Sequence, residues 1–514
     1  MKYPLSATAD GYALRRSQAA VSAAVVETWR LALRHWGLLA ALAIAFAIHL
    51  PTLRYYFDGD DFVVLGSAEY LGGRAYIIDT FLMRDIVPNW RPLTGAIYAV
   101  EWELFGLNAA AWRSVNLAVH LASMVVLYAL VLRVTRKPMA AALAAAIFGV
   151  SGAHFDTVTY ITALPHVLAT FFVLSSLLAL VSYAQDGERS IRAYWLSFAL
   201  FTLAFLANEG SFVFAPVMVL AYALFAVRWR RSPQRLVFHA APFVLLAAGW
   251  TIFYQTADPQ QVKFEDYYWG GHVFSNYAVY LSWLAFPAQS IPLDPNAMRW
   301  ALAALVAAGL LAGAIAGPNI VRIGALGVGL ALLPFVPVSI WTASRYTYAA
   351  VAFFAPVAAV AAYAVYERAG GMHGRARVPA AVVGLALVAT VVGLYSWQSY
   401  AQDASSGRRA ERWQVLAEEL ERNYGDVPDG TTIYIIDGLW QNPMEQYTWV
   451  PSVARALYGD AVAFNLPRSS YEQEPPSLDD ALFLQWTGSE LVPVEAVTVL
   501  GLDTKPGPGP GLPQ

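Results

Sequence analysis

Apolar runs of the length a helix needs to cross a bilayer recur along this chain, separated by polar breaks of unequal length. They fall at Trp36–Leu53, Ser114–Val134, Pro138–Gly152, Ala163–Ala184, Ala193–Ala207, Ser211–Val227, Leu236–Gln255, Met298–Ala316, Val321–Trp341, Tyr348–Tyr366 and Val378–Trp397, about eleven candidate spans. Phe274–Pro287 is a further candidate for a re-entrant or interfacial helix. The pattern predicts an all-α polytopic membrane domain over residues 36–398, preceded by a basic, weakly amphipathic lead-in at 1–35.

The loop after the first run, residues 54–113, is the longest and carries its own helix signals. Asp61–Leu71 is expected to be a helix stopped by Gly72-Gly73. Pro92–Phe105 is expected to be another, with Pro92 in its first turn and Gly106 at its end. Asn108 is placed to cap the helix that follows. After Trp397 the pattern changes. Ala401–Arg422 is charged and helical, while Thr431–Ile436, Ala461–Phe464, Leu482–Trp486 and Val494–Leu500 alternate like strands, and Pro443–Tyr458 is a helix candidate. These predict a small mixed α/β domain at 399–504, then a Pro-Gly tail at 505–514 that is expected to be disordered.

Composition agrees with a membrane protein: 58% of the 514 residues are hydrophobic and 13% are charged, with mean hydropathy +0.47. A net charge of -3 gives no reason to expect a nucleic-acid partner, and with no cysteine there is neither a disulfide nor a thiolate site. No cleavable signal peptide is visible, so the first run reads as an uncleaved anchor. If the N-terminus is cytoplasmic, the inward segments hold 18 Lys and Arg, the outward loops eight and the C-terminal tail seven. That excess predicts a multi-pass plasma-membrane protein whose loop 54–113 and C-terminal domain are extracytoplasmic.

The densest chemistry sits at Asp58-Gly59-Asp60-Asp61, three carboxylates in four residues between aromatics. Carboxylates so close repel, and they need a cation, a basic side chain or a hydroxyl substrate. A solvated acidic turn is the competing reading. Other polar groups gather at outward span ends: Asn116 and His120 at i, i+4, His154 and Asp156, His166, Asn208-Glu209, and Arg345 with Tyr346. Caps, snorkelling and interhelical hydrogen bonds account for many such residues. Arg345 opposes the charge bias, which marks it for function. Gly324, Gly327 and Gly329 lie inside a span, where small residues aid helix packing, and no nucleotide-binding context surrounds them.

Asn89-Trp-Arg-Pro-Leu-Thr94, Phe105-Gly-Leu-Asn108 and Asn116-Leu-Ala-Val-His120 together resemble a run in GT-C membrane glycosyltransferases, closest to the protein O-mannosyltransferase-like group that includes the tetratricopeptide-bearing enzymes. Asp60-Asp61 matches that group's acidic pair after the first span. Gly152–Asp156 resembles its His-x-Glu, Asn208-Glu209 its Lys-Glu, and Ser344–Tyr348 its Glu-Arg-Tyr-x-Tyr. Trp90, Asn208 and Ser344 depart from that pattern, and no tetratricopeptide repeats follow.

The resemblance implies a GT-C fold and a glycosyltransferase, hexose-transferring and mannosyltransferase-like, using a polyprenyl-phosphate-linked sugar with inversion at the extracytoplasmic face. The acceptor is a hydroxyl of a protein or glycan. Asp60 or Asp61, with Asp58 beside them, would supply the base. Arg345 first and Arg91 second would meet the lipid phosphate, with His154, Asp156, Glu209, Tyr346 and His120 in the binding site. No cofactor is required, and a divalent metal at Asp60 and Asp61 is left open. The C-terminal domain is expected to choose or position the acceptor. The alternative is a non-catalytic lipid-saccharide-binding protein or transporter. Its mid-span path would need polar residues, whereas here the polar groups gather at outer span ends.

Overall fold

In the computed structural model the described residues are 35–82, 90–256, 267–285, 295–339, 342–370, 393–394, 396–397, 406–425, 431–436, 450–458, 463–464, 481–487 and 489–494. The first helix, α1 (Trp36–His49), runs through a 3-10 turn at Leu50–Arg54 into the first long loop. That loop folds as α2 (Asp61–Leu71), α3 (Gly73–Leu82) and α4 (Pro92–Phe105). The bounds of α2 and α4 are those the stop and start signals predict: Gly72 and Gly106 end them at positive φ, where a side chain is disfavoured. Asn108 caps α5 (Ala109–Thr135) by accepting from the Ala111 N–H at 3.2 Å.

The bundle continues with α6 (Pro138–Val150), the short α7 (Phe155–Thr159), α8 (Leu164–Gln185), α9 (Ile191–Ala207), α10 (Ala215–Phe225) and α11 (Pro233–Thr256). Then come α12 (His272–Ala285), α13 (Pro295–Ala316), α14 (Asn319–Leu332) and α15 (Tyr348–Gly370). Small residues set the close approaches. A Cβ on Gly327 would fall 2.3 Å from the Phe353 ring, so α14 closes on α15 only because that position is bare.

Among the described residues six helices are long and apolar enough to span a bilayer, or seven if Pro138–Val150 and Gly152–Thr159, bent by 43°, form one broken span. This is an integral membrane protein. The expected eleven spans are not all found as such. Ile191–Ala207, Glu209–Phe225 and Asn319–Leu332 are shorter apolar helices, and most of Val378–Trp397 lies outside the described residues. The run Val321–Trp341 stops as a helix at Leu332 because Pro334 and Pro337 follow, which disfavour helix in the residues before them and supply no N–H.

The C-terminal part holds α16 (residues 406–424), β1 (Thr432–Ile436), α17 (Val450–Tyr458), β2 (Ala463–Phe464), β3 (Ala481–Trp486) and β4 (Leu491–Pro493). The sheet order is β2-β1-β3-β4, with β1 parallel to both neighbours and β4 antiparallel to β3. The expected strand Val494–Leu500 lies almost wholly outside the described residues, and β4 precedes it.

This domain shares an apolar core with the first long loop. Phe57, Phe62 and Leu65 are buried together with Trp413, Leu416, Ile433, Val453 and Trp486, and the Phe62 and Trp413 rings lie 5.7 Å apart. A Cβ on Gly66 would meet the Ser452 carbonyl oxygen at 3.0 Å, so α2 and α17 lie nearly backbone to backbone.

Candidate active site

The acidic stretch is a turn, not a solvated loop. Gly59 sits at φ +52, and the Asp61 N–H donates back to the Asp58 carbonyl at 3.1 Å. The Asp58 N–H donates to Asp61 Oδ2 at 3.1 Å. Asp61 is fully buried. Its Oδ1 accepts from the Thr162 N–H at 3.1 Å, and the Arg113 guanidinium lies 3.7 Å from Oδ2. Arg113 is itself fixed by the carbonyls of Tyr55 and Tyr56. Burial pushes the Asp61 carboxyl up to about 7, against the pull of Arg113. Asp58 is also held above its ordinary value, by burial first, with Arg409 opposing.

Asp60 differs from both. Its N–H donates to the Tyr160 hydroxyl at 2.8 Å, while its carboxylate stays 31% exposed and faces Arg345, which is 30% exposed, at 3.9 Å. At that separation the charges attract, but no hydrogen bond joins them. The Arg345 guanidinium lies over the rings of Tyr160 and Tyr346 at 5.7 and 5.5 Å, and Tyr346 stacks on Phe335 at 4.2 Å.

The segment that carries Arg345 is clamped on both sides. Ser344 Oγ donates to Asp156 Oδ2 at 2.7 Å and Thr347 Oγ1 to the Ala153 carbonyl at 2.7 Å. On the preceding turn, the Pro337 carbonyl accepts from the Tyr268 N–H, and Asn276 Nδ2 donates to the carbonyls of Val336 and Val338. Beside Arg345 a groove is lined by His166, Thr170, Asn208, Phe214, Phe335 and Tyr346, among others. Glu209, next to it in sequence, takes Arg91 in a bidentate pair at 2.8 and 3.0 Å. Burial opposes the Arg91 charge, but Glu209 outweighs it and holds the guanidinium above its ordinary range. Arg91 is therefore committed to Glu209, while Arg345 lies beside Asp60.

Two expected site residues lie elsewhere. His120 and His154 are fully buried. His120 meets the Tyr348 hydroxyl at 2.8 Å, and His154 Nε2 donates to the Phe148 carbonyl at 2.8 Å. With His49 they form a ring cluster, His49–His120 at 5.4 Å and His120–His154 at 5.6 Å, packed by Phe148, Phe155 and Tyr348. They lie within the bundle and are not exposed on the surface that Asp60 and Arg345 share.

The acidic residues do not make a metal-ligand set. Both Asp61 oxygens face N–H donors or a guanidinium, and among the described residues no three His, Asp or Glu side chains are placed so that they could hold a metal ion. Three further site residues escape the sequence reading: Tyr160, Arg113 and Arg409, whose Nε donates to Asp58 Oδ2 at 2.9 Å. Tyr160 follows the matched Gly152–Asp156 motif, which is the one available signal for it.

Residues 88–253 match the dolichyl-phosphate-mannose-protein mannosyltransferase family. Among solved structures the chain is similar to ArnT from Cupriavidus metallidurans bound to undecaprenyl phosphate, at 12% identity and TM-score 0.51, over 91% of this chain and 94% of that one. The apo state of the same protein aligns at 14% identity and TM-score 0.50, over 90% and 94%. An oligosaccharyltransferase from Archaeoglobus fulgidus, tethered with an acceptor peptide, aligns at 13% identity and TM-score 0.48 over 85% of this chain; the chain spans 64% of that protein's length. No curated protein sequence matches the chain. The chain is a GT-C-fold membrane protein that resembles the protein O-mannosyltransferase-like glycosyltransferases.

Proposed function

We propose that this protein is a glycosyltransferase that moves a sugar from a polyprenyl-phosphate donor to a hydroxyl acceptor at the extracytoplasmic face. The observation that carries this reading is the Asp60–Arg345 pair: opposite charges, both partly exposed, 3.9 Å apart on a rigid surround. The ArnT of similar fold is bound to undecaprenyl phosphate, which supports a donor of that class.

Asp60 takes the proton of the acceptor hydroxyl as its oxygen attacks the anomeric carbon. The bond from that carbon to the phosphate oxygen breaks, and the polyprenyl phosphate leaves with the added negative charge. Arg345 faces that charge, and its fork suits phosphate oxygens. Attack opposite the leaving phosphate inverts the anomeric centre. Asp61 and Asp58 shape the turn, Tyr160 holds the Asp60 backbone, and the Asp156–Ser344 contact holds the arginine's segment. No step requires a metal.

The test is release of undecaprenyl phosphate by the purified chain in nanodiscs from a panel of undecaprenyl-phosphate-linked hexoses, with peptide and glycan hydroxyl acceptors. Release that depends on Asp60 is expected. Turnover that Asp60→Asn leaves intact would remove the base. Donor binding without release by the wild type would favour the non-catalytic reading. Sidedness is read with cysteines at Glu69, exposed on α2, and Ser232, labelled in intact cells by an impermeant thiol reagent. Labelling at Ser232 alone would reverse the orientation.

A further inference from the structure

The acidic turn has a partner from far along the chain. Arg409 on α16 reaches Asp58 across 351 positions and also contacts Ser406 Oγ at 3.4 Å. The pair is asymmetric: the Arg409 side chain is 51% exposed, the Asp58 side chain 10%. Arg409 could bind solvent elsewhere, but the Asp58 carboxylate, largely removed from water, depends on a charged donor. The approach is tight. A Cβ on Gly407 would lie 3.0 Å from the Tyr55 ring, and Trp413, one turn after Arg409, packs on Phe62.

Asp58 in turn belongs to the smallest unit that aims Asp60. Its carbonyl accepts the Asp61 N–H and its N–H donates to Asp61 Oδ2. Asp60 lies between, tied at its own N–H to Tyr160. The turn is thus held from two sides, by Tyr160 in the bundle and by Arg409 in the C-terminal domain.

We propose that α16 is part of the active-site scaffold: through its ion pair with Asp58, Arg409 holds the Asp58–Asp61 turn so that the Asp60 carboxylate faces Arg345. Arg409 is then a positioning residue for sugar transfer. The inference rests on the glycosyltransferase reading for its chemistry, but its geometry stands apart from it. It also gives the C-terminal domain a place beside the reacting groups, beyond choosing an acceptor.

The experiment uses the full chain in nanodiscs with Arg409→Gln, Arg409→Lys and, as a control on the same helix, Arg422→Gln, which removes an exposed pair with Glu419. Hydrogen exchange is followed in peptides covering 57–62, 410–424 and 450–458. Transfer is followed as undecaprenyl phosphate released from an undecaprenyl-phosphate-linked hexose. Arg409→Gln is expected to speed exchange at 57–62 about tenfold or more and leave 410–424 and 450–458 unchanged. It should lower kcat about tenfold while KM for the donor stays within about twofold, as loss of aim does. Lys should restore part of both, and Arg422→Gln should move neither. Unchanged exchange at 57–62 in Arg409→Gln overturns the proposal. So does exchange that rises equally in all three peptides, because Arg409 would then only hold the domain together. If Asp60→Asn abolishes release but Arg409→Gln leaves kcat intact, the positioning role falls while the glycosyltransferase reading survives. If no donor is turned over, that reading falls and the exchange measurement still decides the geometry.

Discussion

Two polar clusters sit at opposite ends of the same helices, and they are built on different terms. Near the start of α8 lies the Asp60–Arg345 pair, partly open and separated by 3.9 Å. At the other end of α8, His239 is buried among three tyrosines. Its Nδ1 lies 2.7 Å from the Arg235 carbonyl, an acceptor only, so the ring proton sits there. Nε2 then accepts from Tyr183 at 2.9 Å, and Tyr194 donates to the His239 carbonyl at 3.0 Å. In this second cluster the ring nitrogens and the Tyr183 and Tyr194 hydroxyls are paired at normal length, which locks α8, α9 and α11 together. The first cluster keeps opposed charges apart and reachable. Satisfied polar groups tie helices; a held but unclosed pair leaves room for a substrate.

The comparison breaks first at Asp60. Asn there keeps size and hydrogen bonding but cannot take a proton, so release of undecaprenyl phosphate should fall about 10²–10⁴-fold with the melting temperature unchanged. In the same assay Arg345→Lys should act mainly on donor affinity, by about tenfold, since Lys keeps the charge but loses the fork. An Arg345→Lys protein that binds donor like the wild type would take the phosphate role from it.

At the other end His239→Ala should cost about 2–3 kcal/mol, because it leaves the Tyr183 hydroxyl buried without its partner. It should lower the melting temperature and leave kcat of the folded protein as it was. A kcat loss without a stability loss would mean that the two ends are coupled.

An effect visible only against pH is expected at Glu101 on α4, buried with neither carboxylate oxygen hydrogen-bonded. Burial pushes its pKa to about 8. Since the folded value lies above the unfolded one, the folded state binds the proton more tightly between about 4.5 and 8, and stability falls as pH rises through that window. Glu101→Gln should therefore change little near pH 5 and stabilise by about 3–4 kcal/mol at most near pH 8.5. Equal gains at both values would show that the carboxyl does not titrate there.

What could be read from the sequence was local. Pro92, Gly72, Gly106 and Asn108 act on their own neighbours, so the helices of the first long loop follow from a few residues each. The acidic turn and Arg345 were visible because charge at a span end is costly and stands out. Tyr160 and Arg409 were not, because each meets the turn from 100 and 351 positions away, and no periodicity encodes such a meeting. His120 and His154 show the opposite failure. Helical spacing tells which residues share a face, but not whether that face meets water or the ring of Phe148. The Val321–Trp341 run misled for a third reason: hydropathy averaged over Pro334 and Pro337, which the backbone cannot do.

The clamp around Arg345 has a consequence for how the sequence can drift. Its anchors on the turn at 336–338 are mostly main-chain carbonyls, which any residue supplies, whereas Ser344 and Thr347 fix the far end by their hydroxyls. The spacing between these two sets of anchors is therefore fixed. One residue added or removed between them would carry the arginine off its mark. Among natural variants of this protein, insertions and deletions should be rare between the anchors.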